Sequence, residues 1–207
     1  MLKKFGTVAV ATLTSLSLIS APVFADAAKP GQSMTHIKTE KGIASTLESV
    51  GVFLYVQGGA TSAVMGDSVA AADSQVVFHV PVTGTKTGVA HIGSNIVLFN
   101  SGNNSQVVLK NPLIDLKNAV VKANIGSASE AAAIFTIANA SELKAKITND
   151  TKSKLRTTAY EGAKLNLAPG VAALLVSALG LPNGALPEGL AFATANVSLY
   201  SAIKAKK

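Results

Sequence analysis

Cysteine and tryptophan are both absent from the 207 residues, and charged side chains make up only 14% of them. Without cysteine there is no disulfide, no thiolate zinc site and no cysteine nucleophile. The motifs of common enzyme sites are missing too: no G-x-S-x-G elbow, no phosphate-binding G-x-x-x-x-G-K-[ST] loop, no H-E-x-x-H and no G-x-G-x-x-G after a strand. Acidic residues are scattered (Asp67, Asp73, Asp115, Glu130, Glu142, Asp150, Glu161, Glu188), with no spacing that suggests a general acid and base. The expectation is a protein that is not an enzyme. Aromatics are 5%, so the excess of 18 basic over 11 acidic residues comes without interleaved stacking residues, and nucleic acid is not an expected partner. A disordered chain is excluded as well, because 48% of residues are hydrophobic.

The first residues read as an address. Lys3 and Lys4 precede an apolar run from Val8 to Ile19, and Val23 and Ala25 stand three and one positions before a break. That is the pattern of a signal peptide, residues 1–25, cleaved before Asp26. The expected location is secreted, periplasmic or at the cell surface. No later run is long enough for a transmembrane helix; the longest, Val171 to Leu181, is interrupted by Ser177 and Gly180. Residues 26–38, small and polar with Pro30 and Gly31, read as a flexible lead-in, residues 39–203 as a single domain and residues 204–207 as a basic tail.

Within the domain, Ile43, Leu47, Val50 and Leu54 recur at helical spacing, so a short helix ending near Gly51 is expected, although Val52 to Val56 could equally begin a strand. From Gln75 to Ile137 short runs rich in Val, Ile and Phe alternate with turn residues, among them Gly93-Ser94-Asn95, Ser101 to Ser105 and Asn111-Pro112. Pro169 and Gly170 introduce a second helix, Val171 to Leu179, closed by Gly180, and Phe192 to Tyr200 alternates as a final strand. The fold class that follows is mainly all-β, an antiparallel β-sandwich or barrel-like meander with two short α-helices. Lys152, Lys154 and Arg156 alternate with Ser and Leu, which suits a solvated edge strand or contact with an anionic surface polymer.

Few residues stand out as chemistry. His36 falls in the lead-in, His79 inside an apolar run, and His91 at a strand end among small residues; each could be a hydrogen-bonded side chain with no ligand. Tyr55 stands between Leu54 and Val56 just before Gly58-Gly59, either as a packed tyrosine or as the wall of a site.

The segments Thr87-Gly88-Val89-Ala90-His91-Ile92-Gly93-Ser94 and Leu109-Lys110-Asn111-Pro112-Leu113, with the apolar helix running into Tyr55 and the later Val171 helix, resemble the HtaA-type haem-uptake domains of bacterial surface proteins. The resemblance implies a β-sandwich with two short helices, haem as cofactor, Tyr55 as phenolate ligand to the haem iron and His91 as its partner. Ala90 stands where that family has Gly before His, and its early Trp is missing. Two functions follow as expectations. One is a binding module for haem or a similar planar apolar ligand held by Tyr55 and His91. The other is a structural surface or matrix protein that self-associates and holds no small ligand.

Overall fold

The structure, a computed structural model, describes residues 32–203 apart from positions 67, 70 and 72. The expected signal peptide and basic tail lie outside the described residues. Twelve strands and two helices follow one another as β1 (Met34–Thr39), α1 (Ile43–Ser49), β2 (Val52–Gly58), β3 (Thr61–Met65), β4 (Gln75–Pro81), β5 (Val89–Ala90), β6 (Ser94–Asn100), β7 (Ser105–Asp115), β8 (Val120–Ile125), β9 (Ala131–Ile137), β10 (Lys146–Asp150), β11 (Leu155–Leu167), α2 (Val171–Leu179) and β12 (Ala191–Ala202). All strand pairs are antiparallel, in the order β2-β6-β7-β8-β9-β11-β12-β1-β4-β3. The sheet curls into a nearly closed barrel. Its terminal strands β2 and β3 are consecutive in the chain and meet at the Gly58–Ala60 turn without a ladder between them, which leaves a seam.

Alternation puts one face of each strand inside. In β1, Thr35, Ile37 and Thr39 are buried while Lys38 is exposed; in β12, Ala193, Ala195 and Val197 are buried. Phe78, Leu98, Ile134 and Leu165 are among the largest fully buried side chains of the interior. Both helices sit at one end, where β1 and β11 finish. The α2 C-terminus ends in a Schellman arrangement, with Leu181 N–H donating to Val176 O and Gly180 at φ 63°. Asn100 and Asn103 from the β6–β7 hairpin both donate to Leu179 O, at 2.8 and 2.9 Å, and so fasten the helix over the barrel mouth.

Three expectations are corrected. Met34 to Lys38, read as the end of the lead-in, belongs with Thr39 to a strand inside the sheet, paired with β12 on one side and β4 on the other. Its alternation was hidden because threonines, and not aliphatic residues, occupy two of its three inward positions. Asn111-Pro112, read as a turn, lies within the eleven-residue β7. The ladder to β8 shifts register between Lys110 and Leu113, and Asn111 adopts φ 52°, so the pair makes a bulge, one of the few places a sheet tolerates proline. The edge strand is β10, exposed throughout and paired only to β11, whereas Lys152 and Lys154 lie in the hairpin turn between them.

Candidate functional site

Tyr55 and His91 lie on opposite sides of the barrel wall. In β2 the inward residues are Val52, Leu54 and Val56, which pack on the core, so Phe53, Tyr55 and Gln57 face out. Tyr55 lies directly across from Val97 of β6, and its hydroxyl donates a long hydrogen bond, 3.4 Å, to Gln106 Oε1. Two cross-strand rows cover this outer wall, Phe53–Phe99–Gln106 and Tyr55–Val97–Val108. Val97 is fully buried although it is not part of the interior, because its neighbours on the outer face close over it. Phe53 remains 39% exposed.

His91 follows β5 and turns inward, 1% exposed. Its Nδ1 is 2.9 Å from Pro112 O and its Nε2 2.8 Å from Thr35 Oγ1. A carbonyl only accepts, so Nδ1 carries the proton and Nε2 accepts from the threonine hydroxyl. Both ring nitrogens are thereby committed to the fold. Burial pushes the imidazole below the ordinary value of 6.5, with the bond to Pro112 acting in the opposite direction. The bulged Asn111-Pro112 segment has a local purpose here. It turns the Pro112 carbonyl toward both the His91 ring and the His91 backbone N–H, which donates to it at 2.9 Å, while Asn111 Oδ1 accepts from Gly93 N–H.

The interior offers little space. Two apolar voids of about 20 and 10 Å³ share Ile37, Ile96, Ile134 and Phe135 as lining. A drug-sized ligand occupies upward of ~300 Å³. An open groove of about 290 Å³ lies at the other end of the barrel, between Thr85–Val89, Ile114–Lys117, Tyr160 and Leu199, and includes neither Tyr55 nor His91. Tyr55 and His91 as placed here therefore do not fit the ligand set of one haem: one is half-buried on the outer face, and both ring nitrogens of the other are hydrogen-bonded within the fold.

A pair that the sequence gave no reason to join is His36 with His79. They are directly opposed on β1 and β4, half-buried on the outward face, with Nδ1 to Nδ1 2.7 Å and the rings edge-to-face at 4.7 Å. The two are far apart in the chain and follow no motif spacing, so only the register of β1 on β4 could reveal them. Among the described residues, no group of three or more His, Asp or Glu side chains gathers as a metal cluster.

No family model, no curated protein and no solved structure matches this chain. The HtaA-type resemblance accordingly rests on its quoted segments alone.

Proposed function

We propose that this domain is an exported surface-interaction module whose contact face is the outer wall of β2, β6 and β7, and that its partner is a second copy of itself. The observation that carries this reading is the apolar strip Phe53, Tyr55, Phe99 and Val108, facing outward on and beside the terminal strand β2, over the buried Val97. A β-protein interior accounts for the inward residues; nothing inside the domain accounts for two phenylalanines and a tyrosine placed outside. Burying a large apolar side chain is worth ~1.5–3 kcal/mol, so a few such residues at a two-fold contact supply a useful share of a dimer's affinity. A terminal strand adds backbone donors and acceptors that a second β2 can pair with.

Sedimentation velocity of the full chain across a range of concentrations tests this. Concentration-dependent association that disappears in Phe53→Ser and Tyr55→Ser supports the proposal. A monomer at all concentrations, or association indifferent to both substitutions, overturns it. A haemin titration on the same samples distinguishes the other reading: a saturable absorbance change lost in both Tyr55→Phe and His91→Ala would favour haem capture.

A further inference from the structure

The geometry points to a copper(II) site on the outer wall of β1 and β4, with Nδ1 of His36 and Nδ1 of His79 as its two protein ligands. The pair lies away from the β2, β6 and β7 face and is independent of the self-association reading.

The two nitrogens stand close enough to bind one ion. Two imidazole nitrogens bound at ~2.0 Å stand ~2.8 Å apart in neighbouring corners of a square plane and ~3.3 Å apart at a tetrahedral angle. The observed Nδ1 to Nδ1 distance is 2.7 Å, a hydrogen-bonded contact, so the two nitrogens already stand within reach of one shared ion. Tetragonal nitrogen sites suit copper(II) and nickel(II), and copper(II) stands highest in affinity among first-row divalent ions. The remaining positions belong to solvent, since the neighbours in the same outward row are Thr61 of β3 and Asn196 of β12. Asn196 Oδ1 already accepts from Gly162 N–H.

Two neutral rings 2.7 Å apart share one Nδ1–H, which donates to the other ring's lone pair. When the metal enters, that ring's proton leaves Nδ1 and its Nε2 takes one up, so each ring keeps one proton and near neutral pH no net proton is released. The β1–β4 ladder holds the rings side by side before the metal arrives, which lowers the ordering cost of chelation. Nearby charge is modest. Lys38 and Glu40 lie on the same outward side of β1, with Glu40 accepting from Thr194, and Lys164 lies beyond β12 on β11. The facing residues of β3 (Thr61, Ala63, Met65), β4 (Gln75, Val77, Pro81) and β12 (Thr194, Ser198) are uncharged.

The test is a copper(II) titration of the full chain in a non-coordinating buffer, followed by calorimetry and electron paramagnetic resonance, with His36→Asn, His79→Asn and the double variant. The expected result is one copper per chain, with superhyperfine splitting from two nitrogens. Each single substitution should weaken binding at least ~tenfold, the scale on which even outer-shell losses act. Binding should weaken in acid, because protons compete for the same nitrogens. Unchanged affinity in the double variant, or a wild-type spectrum with no coordinated imidazole nitrogen, overturns the assignment. The second criterion needs no variant to fold.

Discussion

Replacing His91 separates a structural histidine from a ligand. His91→Ala removes a ring that is 1% exposed, together with its bonds to Pro112 O and Thr35 Oγ1, and leaves a fully buried threonine hydroxyl without its partner. An unsatisfied buried polar group costs ~1–3 kcal/mol, and the space left by the ring adds a cavity cost of similar size, so a loss of ~3–5 kcal/mol is expected. For a domain of this length that lowers Tm by roughly 6–20 °C. Far-UV circular dichroism during urea unfolding is the suitable assay, because the chain has no tryptophan to report by fluorescence. A loss below ~1 kcal/mol would refute the argument that His91 is a structural element of the core.

The same residue fixes a pH dependence. The folded state lowers the His91 pKa below 6.5, so the fold favours the neutral ring. Below pH 6.5 the unfolded chain takes up a proton that the folded chain refuses, and stability falls with pH until the folded pKa is reached. The stabilisation is fully present above 6.5, and the loss per pH unit approaches ~1.4 kcal/mol for one such group. His36 and His79 are shifted in the same direction, so the wild-type slope contains all three. His91→Gln isolates one part, since its amide does not titrate and can still donate to Pro112 O and accept from Thr35. The wild type should lose more stability than His91→Gln between pH 7 and pH 5; identical slopes would show that His91 does not carry the effect.

Three further substitutions probe the geometry of the barrel ends by urea unfolding. Gly58→Ala should destabilise by more than ~2 kcal/mol, because a Cβ at φ 76° would lie 1.9 Å from the backbone oxygen of Gly93, which cannot rotate away. Asn100→Ala and Asn103→Ala should each cost ~1 kcal/mol or more, with a double variant that departs from additivity, because both side chains donate to the same Leu179 carbonyl at the end of α2.

The second helix was legible because glycine and proline bracket an apolar stretch, and its observed span, Val171–Leu179, is the expected one. The run-and-turn rhythm from Gln75 to Ile137 likewise carried the antiparallel fold class. Local signals failed where two conformations share one composition. Asn-Pro is as good a bulge as a turn, and only the pairing of Lys110 with Asn124 and Leu113 with Lys122 decides. The Lys-rich hairpin turn has the alternation of a strand, with Lys154 at φ 53°, a conformation that sequence spacing does not reveal. Neither Tyr55 nor His91 could be assigned a side of the wall from neighbours alone. Tyr55 faces out because Leu54 and Val56 take the inward positions, and His91 faces in because a bulge carrying Pro112, 21 residues later in the chain, offers it an acceptor.

The placement of polar chemistry follows from how this barrel is filled. Its interior is filled by aliphatic and phenylalanine side chains, and several buried polar groups bond to one another or to backbone: Thr35 with His91, Thr39 Oγ1 with Val76 N–H, Asn100 with Leu179 O. A group in that state cannot take a ligand without giving up a bond that the fold uses, so recruiting it costs stability. On the outer wall such bonds are partly exposed to solvent, which can replace them. There the cross-strand register sets side chains next to each other for reasons unrelated to packing, and two outcomes stand out, an aromatic strip beside β2 and a pair of imidazoles on β1 and β4. If the proposed contacts lie on the convex surface, substitutions of its exposed residues should change binding while leaving the unfolding free energy within ~1 kcal/mol of the wild type.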